Sequence, residues 1–433
     1  MKWIIGVVIL LAGAIALESG LLAYAMYVLL SLILISRLLT LSWVQNVTAI
    51  RHCDVQAVEV GAVVPMRVQI RNLGFWPVPW LLVEDLLPAK WLTGSRLRLL
   101  VKKKRIKVVF LWSETDLEYE IHFKMRGYYQ VGPLVLETGD LFGLHRRYRV
   151  GSAAHFILVY PRMIPLEGYD LASRRPLGEI RLTYRLFEDP TRIAGIRQYE
   201  PGDPMHRIHW KVSAHTGVLH SKVFEPSSLA GATLVLDFHQ AGYDDAREPQ
   251  RSELAVTAVA SLAYALYLLS EPVGLVTNAR DAAERIRQQG LQYDFRTRTE
   301  IRRTGLEENA NDRLQPLVIR TQPGVEQFEH IRTMLARVEL NDGLTLPQLL
   351  GEAGRLLPRN NTVIVFLPEV SADVALGLGR LRRRGYQVVA ILVVLEDLVR
   401  EKAVRLLAGE RIEAMHFKNE KELARICKRV MVR

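Results

Sequence analysis

Histidine is the residue most often used both to hold metals and to move protons near neutral pH, and this chain crowds it into one place. His206, His209 and His215 fall within ten positions of "HRIHWKVSAH", and His220 follows five residues later. On a helix, His206 and His209 would stand three apart and point the same way, as a metal requires. Zinc wants three or four ligands, however, and no cysteine or acidic residue is spaced to complete the set. Ser213 with a histidine and Asp203 would offer a nucleophile, base and orienting acid, but no nucleophile elbow surrounds the serine. Further on, Asp237 and His239 stand where a strand "ATLVLDF" runs out, and are the remaining candidates for a metal-dependent hydrolase. No GxxxxGK[ST] phosphate loop occurs, which argues against nucleotide hydrolysis by this chain.

The residues around the histidines read as architecture. Pro201-Gly202 suits a type II turn, Asp203 suits a helix N-cap and Pro204 the first helical position, so a short helix is expected to start there. Met205, Ile208 and Val212 would share its buried face, with Trp210 packed, and Gly217 would end it before a strand around "VLHSKVF". Asp203, Arg207 and Lys211 would then fix the turn or meet a partner.

Two apolar stretches open the chain. From Trp3 to Ile35 the break is at Glu18 and Ser19, and a single helix over that length would exceed the hydrocarbon core. The expectation is a transmembrane hairpin, with spans near residues 2–18 and 20–39 inside a segment 1–42. Lys2, Arg37 and Arg51 flank it, which places the flanks and everything after them in the cytoplasm at the inner membrane. A signal peptide cleaved near Ala14-Ile15-Ala16 is the rival reading, and it leaves the destination unchanged. Cys53 and Cys427 form no metal or disulfide spacing, in keeping with a reducing compartment. The net charge of +11 is spread over several runs and points to a surface beside anionic lipid, not to a specific nucleic-acid face. Membrane-associated nucleic-acid binding stays as a further alternative.

Between residues 55 and 161, apolar residues alternate in "VPMRVQIRN" and "LEYEIHFKM", and further strands are expected at "RIKVVFLW", "PLVLET" and "HFILVYP": an antiparallel β-sandwich. Residues 162–229 form a connecting segment. From 230 to 433, strands such as "NTVIVFLP" and "YQVVAILVV" alternate with helices such as "QRSELAVTAVASLAYALYLLS", which predicts an α/β, Rossmann-like domain with a mostly parallel sheet.

The ordered segments "RNLGFWPVPWLLVEDLLP", "MRGYYQVGPLVLETGDLFGL", "ILVYPRMIPL" and "YEPGDPMHRIHWKVSAHTGVLHSKVFEP" resemble the bacterial family called domain of unknown function fifty-eight. The resemblance implies a von Willebrand factor A-like C-terminal domain and a role beside AAA+ ATPases of the MoxR class. It also implies other membrane proteins as neighbours, and Tyr199, Gly202, Asp203, Arg207, His209, Trp210 and Lys211 as the motif that binds. The chain departs from the A-domain metal pattern, because Asp237-Phe238-His239-Gln240-Ala241 lacks its two serines and "VIVFLPE" lacks its Thr-Asp-Gly. The expectation is therefore an adaptor or scaffold without catalysis or cofactor.

Overall fold

The computed structural model describes residues 2–16, 20–85, 97–99, 104–109, 114–140, 143, 145–166, 169–170, 175–176, 188–200, 205, 208–226, 231–243, 248–288, 314–358, 361–393 and 396–424. They divide into two compact units, Met1–Tyr160 with Ala282–Asn309, and Pro161–Asp281 with Ala310–Arg433.

The first unit opens with helices α1 (Lys2–Ala16) and α2 (Gly20–Asn46). At 15 residues α1 is about 22 Å long, short of the hydrocarbon core. Among the described residues, α2 alone is long and apolar enough to cross a membrane. It also runs seven residues past the expected end at 39, because its last turns have somewhere to go. Ile33, Ser36, Thr40 and Trp43 form a stripe at spacings of three and four, and that stripe is buried.

What receives it is a set of antiparallel sheets. Strands β1 (Val47–His52), β2 (Ala57–Glu59), β3 (Val63–Asn72), β4 (Val78–Asp85), β5 (Leu97–Leu99), β6 (Lys104–Val109), β7 (Glu114–Phe123), β8 (Gly127–Val131), β9 (Leu134–Gly139), β10 (Arg146–Ser152) and β11 (His155–Tyr160) follow in order. They form sheets β1-β3-β7-β5 and β10-β9-β4-β6, all antiparallel, and a small sheet β2-β11-β8 in which only the β2 pairing is parallel. The alternation in the sequence is reproduced residue by residue: Val64, Met66, Val68 and Ile70 of β3 point inward, and Arg67 and Arg71 outward to Asp116 and Glu114 on β7. One core joins β3 and β7 to Leu81, Leu134, Leu136, Ile157 and Trp43. Each such side chain contributes roughly 1.5–3 kcal/mol when fully buried, so a one-residue slip of β3 would forfeit four of them at once.

Asp140 ties α2 to this core. Its Oδ2 accepts a 2.6 Å hydrogen bond from the Ser36 hydroxyl, and its Oδ1 accepts the His145 N–H at 3.1 Å. The sequence suggests a turn at "GDLFGL" with Asp140 bonding nearby backbone, and His145 supplies that backbone. Leu141, Phe142 and Leu144 lie outside the described residues. At the other end of the joint, Arg149 Nη1 donates to Val44 O at 3.1 Å and Val47 O at 3.3 Å, placing a cation on the carbonyl end of α2.

Arg51 is not a free cation beside the membrane, as a flanking charge would be. Its guanidinium meets Asp85 inside the sandwich, the two side chains being 2% and 3% exposed. It also donates to Val131 O at 3.0 Å, and Tyr119 donates to the other Asp85 oxygen. Gly132, at φ +93°, leaves room for that guanidinium, since a Cβ there would stand 2.5 Å from Arg51 Nη2.

In the second unit, short strands β12 (Tyr169–Asp170) and β13 (Arg175–Pro176) pair, and β14 (Glu188–Gln198) pairs with β15 (His220–Pro226). Strands β16 (Ala232–Leu236), β17 (Val273–Thr277), β18 (Arg280–Asp281), β19 (Leu317–Gln322), β20 (Val338–Glu339), β21 (Thr362–Leu367), β22 (Gln387–Leu392) and β23 (Glu413–His416) complete it. Six of these form one sheet in the order β19-β17-β16-β21-β22-β23, parallel except for the β19 edge. Its four central strands are apolar on both faces because both are covered. Leu234 and Leu236 face a core with the helices Gln250–Leu268 and Val325–Arg337. Val235 faces the helices Leu346–Ala353, Ala372–Arg383 and Asp397–Gly409. This is the mostly parallel, helix-covered sheet that the alternating pattern predicts. The polar stretch 289–313 and Cys427 lie outside the described residues.

Candidate functional site

The histidine-rich stretch is built on β15. That strand pairs with β14 on one edge, and on the other it forms a bridge from Ser221 to Ile208. His209 N–H adds a 2.8 Å bond to His220 O. Residues 208 and 209 are therefore extended, with His209 at φ −91° and ψ 81°, and cannot belong to a helix. The expected unbroken helix from Asp203 through Val212 is thus interrupted: Met205 lies in a 3-10 turn, and a separate helix runs from Trp210 to Thr216 with His209 as its N-cap, Nδ1 accepting the Val212 N–H at 3.2 Å. Gly202, Asp203, His206 and Arg207 lie outside the described residues. Gly217, at φ +69°, ends the helix as expected.

Several polar groups of the stretch have a structural use. Ser213, buried, accepts the His220 N–H at 2.9 Å and so pins the helix to β15. His220 Nδ1 lies 2.8 Å from Val218 O, which fixes it as the donor. His215 is exposed in the helix's last turn, where a cation is favoured. Tyr199 donates its N–H to Leu219 O at 2.9 Å. Among the described residues no three His, Cys, Asp or Glu side chains gather to hold a metal.

Two expectations about packing fail together. Trp210 is 63% exposed where a buried ring was expected, and Met205 is 70% exposed where a core position was expected. The reason is the break at 208 and 209: Ile208 reaches the interior at 2% exposure, and the helix that follows turns Ser213 inward and Trp210 outward. Ile196, Val218 and Leu219 on the same small module are exposed as well, and Lys211 stands beside Trp210. One small module thus carries several exposed apolar side chains, Trp210 among them, on a backbone tied by the main-chain and side-chain bonds above. Tryptophan and methionine are the residues that protein interfaces enrich, and scattered single exposures do not produce such a group.

The second candidate, Asp237, lies after β16, beside the point where strand order reverses and doubly wound sheets receive ligands. Its Oδ1 accepts from Asn278 Nδ2 at 2.8 Å and from the His239 N–H at 3.3 Å. Asn278 in turn accepts the Phe238 N–H at 2.6 Å and donates to Leu344 O at 2.9 Å. Burial pushes the Asp237 carboxyl above its usual range, against the pull of Asn278 and His239. His239 Nδ1 is spent on the Ala241 N–H at 3.2 Å. Chain from the same unit fills the crevice: Gly242 lies so close to Pro368 that a Cβ would approach it to 2.7 Å, and Arg251 donates to Val393 O at 2.9 Å and to Pro368 O. Arg251 also lies 5.7 Å from the Tyr243 ring centre, and the Tyr243 hydroxyl bonds Asp237 O at 2.9 Å. Among the described residues the arrangement braces loops. Asn278, central to it, carried no motif in the sequence.

Among curated proteins, the uncharacterized protein YeaD of Bacillus subtilis (strain 168) is 25% identical over 217 residues, 49% of this chain and 53% of that protein. The chain thus spans about half the length of the curated relative it matches. Among solved structures, the CARDB domain of the PF1109 protein from Pyrococcus furiosus is 15% identical, covering 26% of this chain and 92% of that one, at a TM-score of 0.19. Salmonella alpha-2-macroglobulin reacted with methylamine is 16% identical, covering 28% of this chain and 7% of that one, at 0.20. Neither likeness extends to function. Residues 195–297, from β14 past the Trp210 module, Asp237 and Asn278, match the family described as "Protein of unknown function DUF58", so the chain carries a region of the family that its segments resemble.

Proposed function

We propose that this chain is a membrane-anchored cytoplasmic adaptor, which docks partner proteins through the module bearing Trp210. The observation that carries the reading is the exposure of Trp210 with Met205, Ile196, Val218 and Leu219 on a rigid hairpin and helix. An exposed tryptophan on a fixed backbone binds at low entropic cost, and such residues dominate interface energies. The anchor is α2, with the shorter apolar α1 beside it as the other arm of a hairpin. Lys2 at the start of α1 and Arg37 in the second half of α2 favour both soluble units on the cytoplasmic side of the inner membrane. The parallel sheet serves as a von Willebrand A-like body that holds the module, with Asp237 bracing it. The favoured partner is an AAA+ ATPase of the MoxR class, which would supply the nucleotide chemistry for which this chain has no phosphate loop, during assembly or maturation of other membrane complexes.

A photo-crosslinking residue placed at Trp210 in the full chain, in cells, tests this. The expected result is an adduct with an ATPase that does not form from a control position at Glu352, exposed on the helix Leu346–Ala353. Equal adducts from both positions, or none from 210, would count against it.

A further inference from the structure

Where α2 leaves its exposed apolar belt, three arginines come to one level. Leu21, Tyr24, Leu34, Ile35 and Leu38 are exposed along the helix, while Ser36, Thr40 and Trp43 turn into the sandwich. Ser36 is bonded to Asp140, and Asp140 exchanges two hydrogen bonds with the His145 backbone, its N–H to His145 O at 3.1 Å and its Oδ1 from His145 N–H at 3.1 Å. His145 is thus held beside Ser36. Arg149 is held beside Val44, to whose carbonyl it donates at 3.1 Å. From Ser36 to Val44 is about 12 Å along a helix, and from His145 to Arg149 about 13 Å along a strand. The two segments therefore run side by side in the same direction, and the start of β10 lies at the end of the sandwich facing the apolar belt. Arg37 follows Ser36 there, and Arg146 and Arg147 follow His145. The latter two are exposed, and Arg146 also stands 3.7 Å from Glu137.

We propose that Arg37, Arg146 and Arg147 form a collar that binds the headgroups of anionic phospholipids; this rests on the membrane-anchored reading above. The belt stops where hydrocarbon must give way to headgroups, and guanidinium forks match phosphate oxygens in two-point geometry. The collar would fix the depth at which the sandwich sits, through the Ser36–Asp140 tie, in addition to the grip of α2 itself.

The full chain, eluted from micelles of mixed phosphatidylglycerol and phosphatidylcholine, is examined by native mass spectrometry for retained lipid. The collar predicts enrichment of phosphatidylglycerol, with about fivefold contributed by each arginine, weakening as salt rises. The variant R37Q/R146Q/R147Q should fall to parity, and R37K/R146K/R147K should keep much of the enrichment because it keeps the charge. Parity in the unaltered chain, or undiminished enrichment in the glutamine variant, would overturn the collar while leaving the anchor intact. A chain that enters phospholipid of neither kind would overturn the anchored reading as well.

Discussion

Replacing Asp85 by Asn puts a number on the charged centre of the sandwich. The change keeps the side chain's size and removes its charge. It leaves the Arg51 guanidinium, 2% exposed, with only neutral acceptors such as Val131 O at 3.0 Å and Ala153 O at 3.1 Å. Burial pushes Asp85 up to about 7, and it pushes Arg51 down to about 10 against the opposing pull of Cys53. Taking away one partner of such a pair costs about 3–5 kcal/mol, because the other charge stays buried. For a unit of this size that is a fall of roughly 6–20 °C in its unfolding temperature, read by scanning calorimetry of the full chain in detergent. Since a buried pair and an apolar pair of similar volume are often equally stable, the double variant R51M/D85L should recover most of the loss. Tyr119→Phe, which removes one hydrogen bond to the carboxylate, should cost less, about 1.5–3 kcal/mol. A single variant D85N within about 1 kcal/mol of the unaltered chain, or a double variant no better than the single one, would refute the reasoning.

Three further outcomes follow from the same geometry. Asp140→Ala removes the partner of Ser36 and of the His145 N–H; amides in the last turns of α2 should exchange with solvent about thirtyfold faster or more, as measured by hydrogen exchange. Asp237 is pushed up by burial, so its folded form holds a proton more tightly than the unfolded chain does. The associated stability is full below its ordinary value of 3.8 and is lost as pH rises through the folded value. Asp237→Asn should therefore gain stability relative to the unaltered chain on going from about pH 4 to about pH 8 in denaturant titrations, and a catalytic or metal-binding Asp237 would instead show lost function. Trp210→Ala, at a 63% exposed position, should change stability by no more than about 0.5 kcal/mol while removing partner binding in the same preparation.

The strands and helices with a clear period were legible because period is a local property, whereas β14, inside the expected connecting segment, was not. Val64 to Ile70 alternates, "ATLVLDF" is continuously apolar, and each pattern states how many faces of its strand are covered. What escaped depends on contacts distant in sequence. Arg51 and Asp85 are 34 residues apart and Ser36 and Asp140 are 104 apart, and neither pair has a motif. The histidine stretch differs for a related reason: the pattern Met205, Ile208, Val212 suggests one continuous helical face, yet the bridge from Ile208 to Ser221 interrupts it and a new helix begins at Trp210. With that interruption the Trp210 ring faces outward, 63% exposed, where a packed ring is expected. His209, a residue of the expected motif, caps that helix. No sequence signal pointed to Asn278, since buried asparagine bridges between loops are recognisable only once the strand ends are side by side.

The adaptor claim is tested most directly by the equilibrium between the full chain, solubilised from its native membrane, and the ATPase recovered with it. Capture by the unaltered chain and by Trp210→Ala would be compared at matched amounts, with Asp237→Asn as a control. The account predicts an AAA+ ATPase retained by the unaltered chain and by Asp237→Asn, with loss of at least thirtyfold in Trp210→Ala, the effect of about 2 kcal/mol at an interface centre. Equal capture by Trp210→Ala, or capture lost only in Asp237→Asn, would contradict it.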